Sequence, residues 1–229
     1  GLTGPEAILE RDGGFCDVFA GKYELSELDR LGKPFDLIRP GVSFKQYPSC
    51  TGTHAAIDAT LAIREEHGVR PDDVDQIECR AGPLIPRLLV YPIPKNGLEA
   101  KFSMEYCVSA ALVRGKVDIE SFEDEAVTDP EVTKLMRRVI VVPDRELEME
   151  RHLQGIVIIV RDRFGKRFEK KVNEAKGNPS NPLSDDELER KFMTCASTCL
   201  DARTSRKLSD LIWNLEKVET IREITDCAH

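Results

Sequence analysis

The stretch Thr51-Gly-Thr-His-Ala-Ala-Ile-Asp-Ala-Thr-Leu-Ala-Ile-Arg-Glu-Glu-His67, followed after a turn by Val74-Asp-Gln-Ile-Glu-Cys79, decides the fold. Ala55, Ala56, Ala59, Ala62 and Ile63 recur at helical spacing and make a small-residue face. Thr51 or Thr53 is placed to cap that helix and Gly68 to end it. Residues 74–79 then alternate as a half-buried strand should.

Working outward, Pro83, Pro86, Pro92 and Pro94 break regular structure up to Gly97 and give a long proline-stiffened loop. Glu99 to Arg114 reads as a second helix with small residues at Ala100, Cys107, Ala110 and Ala111, closed by Gly115. Pro130 to Arg137 is a short helix with proline in its first turn. Val139–Val142 and Gly155–Arg161 are apolar runs of strand length. Arg163-Phe-Gly-Lys166 is a hairpin turn into a strand over Arg167–Val172. Beyond the turn-rich Gly177-Asn-Pro-Ser-Asn-Pro182, Ser184 and Glu187 form a capping box. The helix it opens aligns Leu188, Phe192, Cys195 and Cys199, and a last helix over Ser205–Glu219 would bury Leu208, Leu211, Ile212 and Leu215. Towards the N-terminus, weak helical spacing over Gly4–Ala20 would bury Ile8, Leu9, Phe15, Val18 and Phe19. A short helix over Ser26–Leu31 and an extended proline-containing connector from Lys33 to Ser49 follow. The order is helical, then mixed from about residue 45 to 175, then helical, without regular β-α-β alternation, so the class is α+β.

The 229 residues are 41% hydrophobic and 32% charged, enough apolar content for a sizeable core. The formal charge of -8 argues against bulk attraction to nucleic acid or to an anionic membrane. No apolar run approaches the length that spans a bilayer. The seven cysteines are an odd number, and they include no Cys-x-x-Cys pair. Cys195 and Cys199 have no second ligand pair to complete a zinc site, so the thiols read as small apolar residues of a cytoplasmic protein. The chain starts at Gly1, which reads as a processed end or a cut within a longer protein.

Phosphate loops, dinucleotide fingerprints and nucleophile elbows are missing from the sequence. Two polar groupings stand out instead. Lys45 leads directly to the helix that carries His54, and a helix N-terminus with a lysine and a histidine suits an anionic, carboxylate-bearing ligand. Asp58, one turn beyond His54, could orient the imidazole and raise its pKa; alternatively Lys45 is solvated and His54 a satisfied first-turn residue. In the second grouping Lys101 and Glu105 lie one turn apart with Tyr106 beside them. The structural alternative there is an exposed ion pair and a half-buried tyrosine.

The string Lys45-Gln-Tyr-Pro-Ser-Cys-Thr-Gly-Thr-His-Ala-Ala-Ile-Asp58 resembles the MmgE/PrpD family, relatives of 2-methylcitrate dehydratase. So do Gly1-Leu-Thr-Gly-Pro5, Glu99-Ala-Lys-Phe-Ser-Met-Glu-Tyr106, and Gly177–Ser184 followed by Lys191-Phe192. The resemblance implies a C-terminal portion only. A small α+β lid domain over 45–176 would be flanked by residues 1–44, the end of the first part of a helical domain plus a connector, and by residues 177–229, helices returning to that domain. It implies a metal-free and cofactor-free lyase or isomerase acting on a small di- or tricarboxylate, completed by a missing N-terminal helical domain or chain and forming a homodimer. Lys45 would hold carboxylate or developing negative charge and His54 would orient substrate or relay a proton, with Tyr106 and Lys101 as substrate-binding residues. The alternative from a different class is a non-catalytic α+β module for binding or assembly.

Overall fold

The computed structural model describes residues 3–20, 24–147 and 155–227. Gly1 and Leu2 of the Gly1–Pro5 motif lie outside them. The chain divides into two units, Gly1–Val42 and Ser43–His229.

Among the described residues of the first unit only Phe15–Ala20 (α1) is α-helical, and a 3-10 turn covers Leu25–Arg30. The helix expected from Gly4 fails at Gly13 (φ 67°), whose N–H is bonded to the Asp17 carboxylate at 2.9 Å. A left-handed glycine cannot continue a right-handed helix. Ile8, Leu9, Phe15, Val18 and Phe19, expected to be buried, are all exposed.

The second unit begins its regular structure with α2, His54–His67, ended by Gly68 in the left-handed conformation. Neither Thr51 nor Thr53 caps it: both belong to a 3-10 turn, Thr51–Thr53. The Thr53 hydroxyl is drawn away to the Cys50 carbonyl at 2.8 Å and lies 2.7 Å from the Ser49 hydroxyl. Next come β1 (Val74–Ala81), a short α3 (Ile85–Leu88) inside the proline loop, and α4 (Gly97–Ala100). The second long helix is shorter than expected. It starts at Met104 because Ser103 adopts an extended conformation and accepts the Tyr106 N–H, giving α5 as Met104–Arg114. Then follow α6 (Asp124–Val127), α7 (Pro130–Met136), β2 (Val139–Pro143), β3 (Ile156–Asp162) and β4 (Arg167–Val172). The chain continues through α8 (Asp185–Ala196), α9 (Ala202–Trp213) and α10 (Arg222–Thr225).

The strands form one mixed sheet in the order β2-β1-β3-β4, with β1 parallel to β2 and antiparallel to β3, and β3 antiparallel to β4. Register puts Ile77, Cys79 and Ala81 level with Val160, Ile158 and Ile156, and Val160 level with Phe168. These residues share one face and form a single core with Ala55, Ala56, Ala59 and Ile63 of α2 and Met104, Val108 and Leu112 of α5. Alanines let the helix axis approach the sheet closely, so the small-residue face is the packing surface. A second core lies on the far side of α2 and α5, where Tyr47, Ile57, Tyr106, Ala110, Phe122, Val132 and Met136 meet. On the other face of the sheet Glu78 pairs with Arg80 at 2.5 Å and Arg161 at 3.2 Å.

The fold is therefore α+β, as the order of elements suggested. Strand β2 is less buried than its apolar sequence suggested because it is an edge strand. The helix expected over Ser205–Glu219 is α9 and stops at Trp213; Leu208 is buried, but Ile212 and Leu215 are exposed. Cys199 lies beyond the end of α8 and is exposed. Among the described residues no helix is long and apolar enough to cross a membrane.

Candidate functional site

The segment that carries Lys45 is fastened at three points. The Phe44 N–H donates to the Gly177 carbonyl at 2.8 Å, the Cys50 N–H to the Lys101 carbonyl at 2.9 Å, and the Tyr47 hydroxyl to Asp58 Oδ1 at 2.6 Å. Asp58 Oδ2 accepts the Lys176 N–H at 2.8 Å. The Lys176 ammonium in turn pairs with Glu187 in the first turn of α8 at 3.0 Å. One carboxylate on α2 thereby ties together the entry to that helix and the loop after β4. Ser184 and Glu187 complete their capping box and fix the start of α8 beside that loop.

Lys45 and His54 converge. The Lys45 ammonium donates to the Ser49 carbonyl at 3.3 Å and His54 Nε2 approaches the same oxygen at 3.4 Å. Lys45 is exposed, whereas His54 is only 2% exposed. The Tyr47 ring stands edge-on to the imidazole, centroids 5.3 Å apart. Burial lowers the His54 pKa to about 4, opposed by hydrogen bonds to the Ser49 and Tyr47 carbonyls and assisted by the nearby charges of Lys45 and Lys191. At neutral pH the ring is uncharged and has a single N–H to donate.

Two expectations need correction. Asp58 does not orient His54, because its oxygens are taken by Tyr47 and Lys176, and the imidazole pKa moves down rather than up. Helical spacing alone could not foresee that a tyrosine eleven residues back would reach the carboxylate first. Lys101 and Glu105 form no ion pair either. Lys101 contributes its carbonyl to Cys50, and Glu105 Oε2 is buried without a hydrogen-bond partner, so burial raises the Glu105 pKa.

Tyr106 is fully buried rather than half-buried. Its hydroxyl donates to the Ser121 carbonyl, and burial pushes its pKa up to about 12. Of the four site residues expected from sequence, the fold brings Lys45 and His54 onto one carbonyl. Lys101 touches their segment through its backbone, and Tyr106 sits in the second core. The sequence reading did not connect Lys191 of α8 with His54, whose pKa its charge helps to lower. Its signal was its place in the Lys191-Phe192 motif after the capping box.

A cleft of about 490 Å³ is lined by Arg64, Arg70, Asp72, Glu131, Lys134 and Arg138 among others, and by none of the site candidates. Its cations are largely committed. Arg64 and Arg138 donate to main-chain carbonyls, and Lys134 pairs with Asp72 at 3.4 Å. Among the described residues no group of three or more His, Cys, Asp and Glu could hold a metal ion.

Asp58→Asn should destabilise the protein by about 1–2 kcal/mol, because an amide offers one acceptor where two donors now converge. Urea unfolding at neutral pH measures it, and an unchanged midpoint would show that the two bonds do not matter.

The class defined by this fold and site is an α+β domain with a lysine and a neutral histidine gathered at the entry to its first long helix. The chain belongs to the MmgE/PrpD family: the family's C-terminal domain matches residues 47–217, starting just after Lys45. It is similar to cis-aconitate decarboxylase of Mus musculus, 28% identical over 98% of this chain and 47% of that protein. The Homo sapiens cis-aconitate decarboxylase matches with the same identity and coverage. A mitochondrial 2-methylcitrate dehydratase of Yarrowia lipolytica is 23% identical over 65% of this chain and 29% of its own length. The chain spans about half the length of the cis-aconitate decarboxylases it matches.

Proposed function

We propose that this chain is the C-terminal part of a metal-free lyase or isomerase that acts on a small di- or tricarboxylate. The observation that carries the reading is the convergence of Lys45 and His54 on the Ser49 carbonyl. It leaves an exposed ammonium, with no carboxylate partner among the described residues, sharing one carbonyl with a buried neutral imidazole. Such a cation can hold a substrate carboxylate or the negative charge that develops beside it during elimination or decarboxylation. The burial of His54 favours a role in orienting over proton relay, since the ring meets the same Ser49 carbonyl that Lys45 does. Tyr106 and Lys101 then support the site from behind, through the α5 packing and the Cys50 bond. Relatives named for acting on cis-aconitate and 2-methylcitrate support the substrate class.

In this reading catalysis needs the N-terminal half of the family's architecture, and this chain by itself supplies a carboxylate half-site without turnover. A homodimer in the cytoplasm belongs to the same proposal. A second reading, a binding module without catalysis, is favoured by the way the backbone satisfies His54.

Isothermal titration with citrate, cis-aconitate and 2-methylcitrate tests the carboxylate site. A charge-assisted hydrogen bond is worth about 1.5–3 kcal/mol, so Lys45→Ala should weaken binding about ten- to a hundredfold. Equal heats from the two proteins would remove Lys45 from the site. Turnover by a full-length protein would exclude the module.

A further inference from the structure

We propose that the cleft at the C-terminal end of α2 is a second anion site, independent of the Lys45 segment, and that it takes the dianion of a phosphate monoester. Its volume of about 490 Å³ suits a small organic molecule. His54 is the first residue of α2, whereas Gly68, on the cleft wall, follows the last. About 20 Å of helix therefore lies between the two places.

Among the described residues four cations line the cleft, and they arrive from three parts of the chain. Arg64 comes from α2, Arg70 from just before the 3-10 turn Pro71–Asp73, and Lys134 and Arg138 from α7 and the residues after it. Asp72 and Glu131 are the carboxylates on the same wall, so the cleft is positive in a chain whose formal charge is -8. Two of the cations are held by the fold. Arg64 Nη1 donates to the carbonyls of Leu112 and, at 3.2 Å, Val113 near the end of α5, and Arg138 Nη1 donates to the Val74 carbonyl at the start of β1. Those bonds use one nitrogen of each guanidinium and leave Nε and Nη2 with hydrogens to donate. Gly115 keeps that edge of Arg64 clear, since a Cβ there would lie 3.0 Å from Nε and 3.4 Å from Nη2.

A guanidinium fixed by the backbone loses little freedom when it takes an anion, and its planar fork matches phosphate oxygens. The other two cations can turn onto a ligand. Arg70 is exposed, and Lys134 reaches Asp72 only at 3.4 Å with both side chains largely exposed, a weak pair that a doubly charged ligand displaces. A phosphate monoester carries close to two negative charges at neutral pH and has three acceptor oxygens, one for each direction from which the cations come. Val69 and Leu135, both buried, and the partly buried Val113 make an apolar stretch of the same wall. The organic group of the ester lies there, where free phosphate gains nothing.

The test is calorimetric titration at low salt with phenyl phosphate, inorganic phosphate and benzoate. It compares wild type, Arg70→Gln and Lys134→Gln with two controls, Lys45→Ala and Lys207→Gln on the exposed side of α9, each protein first checked for folding by circular dichroism. Phenyl phosphate should bind with a Kd of about 1 mM or tighter, and inorganic phosphate and benzoate about tenfold more weakly. Arg70→Gln and Lys134→Gln should each weaken phenyl phosphate about tenfold, and the controls should change it by less than about twofold. In amide NMR spectra the signals of Gly68, Val69 and Gly115 should move on binding while that of His54 stays in place. Inorganic phosphate bound as tightly as phenyl phosphate would overturn the ester as the ligand. Phenyl phosphate affinity that is unchanged in Arg70→Gln and Lys134→Gln but lost in Lys45→Ala would put the anion at the Lys45 segment and overturn the cleft site. No saturable heat from folded wild type up to about 10 mM phenyl phosphate would overturn it too, and would leave the carboxylate reading of Lys45 untouched.

Discussion

Gly177→Ala is expected to destabilise the protein by about 3 kcal/mol and to abolish carboxylate binding through Lys45, although the substitution touches neither Lys45 nor His54. Gly177 sits at φ 95°, and a Cβ there would lie 2.0 Å from the Phe44 carbonyl oxygen. That atom is backbone, so no side chain can swing aside. Either the loop after β4 or the Phe44–Lys45 segment must move, and the Phe44 N–H to Gly177 O bond breaks with it. For a chain of this size the loss corresponds to a fall in melting temperature of about 6–12 °C. Gly165→Ala separates strain from collision, for it too has positive φ (83°) but nothing within 4 Å of the added Cβ. It should cost only about 1 kcal/mol. If thermal unfolding shows the two variants to be equally stable, the close approach at Phe44 is not a constraint.

The second large effect is an acid-side loss of stability carried by His54. Its pKa in the folded protein is lowered to about 4 from an ordinary value of 6.5. Between those values the unfolded chain binds a proton that the folded chain refuses. Stability from the neutral ring is therefore complete above about pH 6.5, falls as pH drops, and is gone below about pH 4. A shift of this size corresponds to roughly 3 kcal/mol. Asp58 and Glu105 work in the opposite direction, since burial raises their pKa values and protonation relieves them. Burial raises the Tyr47 pKa further, so the hydroxyl beside the ring stays protonated over this range. The His54→Gln variant isolates the effect. Urea unfolding at pH 7.5 and pH 4.5 should show wild type losing about 2–3 kcal/mol more than the variant. Parallel losses in the two proteins would mean that His54 is protonated in the fold well above pH 4.

Local signals read the second unit well where one principle acted alone. The left-handed glycines Gly68 and Gly115, the Ser184–Glu187 capping box and the turn at Gly165 stand where their chemistry placed them. They failed where two local options competed. Ser103 could be helical or a cap, and it became the cap of α5; Thr53 could cap α2, and its hydroxyl went to Cys50 instead. For the site, the Lys45–Asp58 string was legible as a unit, but the pairing inside it was not. Asp58 faces Tyr47 rather than His54. The contribution of α8 lay over a hundred residues away, where spacing carries no information about proximity.

The sequence by itself determined the succession of helix and strand, the small-residue face of α2, and the motifs that mark the family. Periodicity and capping act over a few residues, so the chain carries them wherever it goes. Only the tertiary structure decided the order β2-β1-β3-β4, the burial of Tyr106 and the neutral state of His54. Each depends on which distant surfaces exclude water from one another. Desolvation, which moves the histidine pKa further than any single neighbour does, exists only after the chain has closed around the ring.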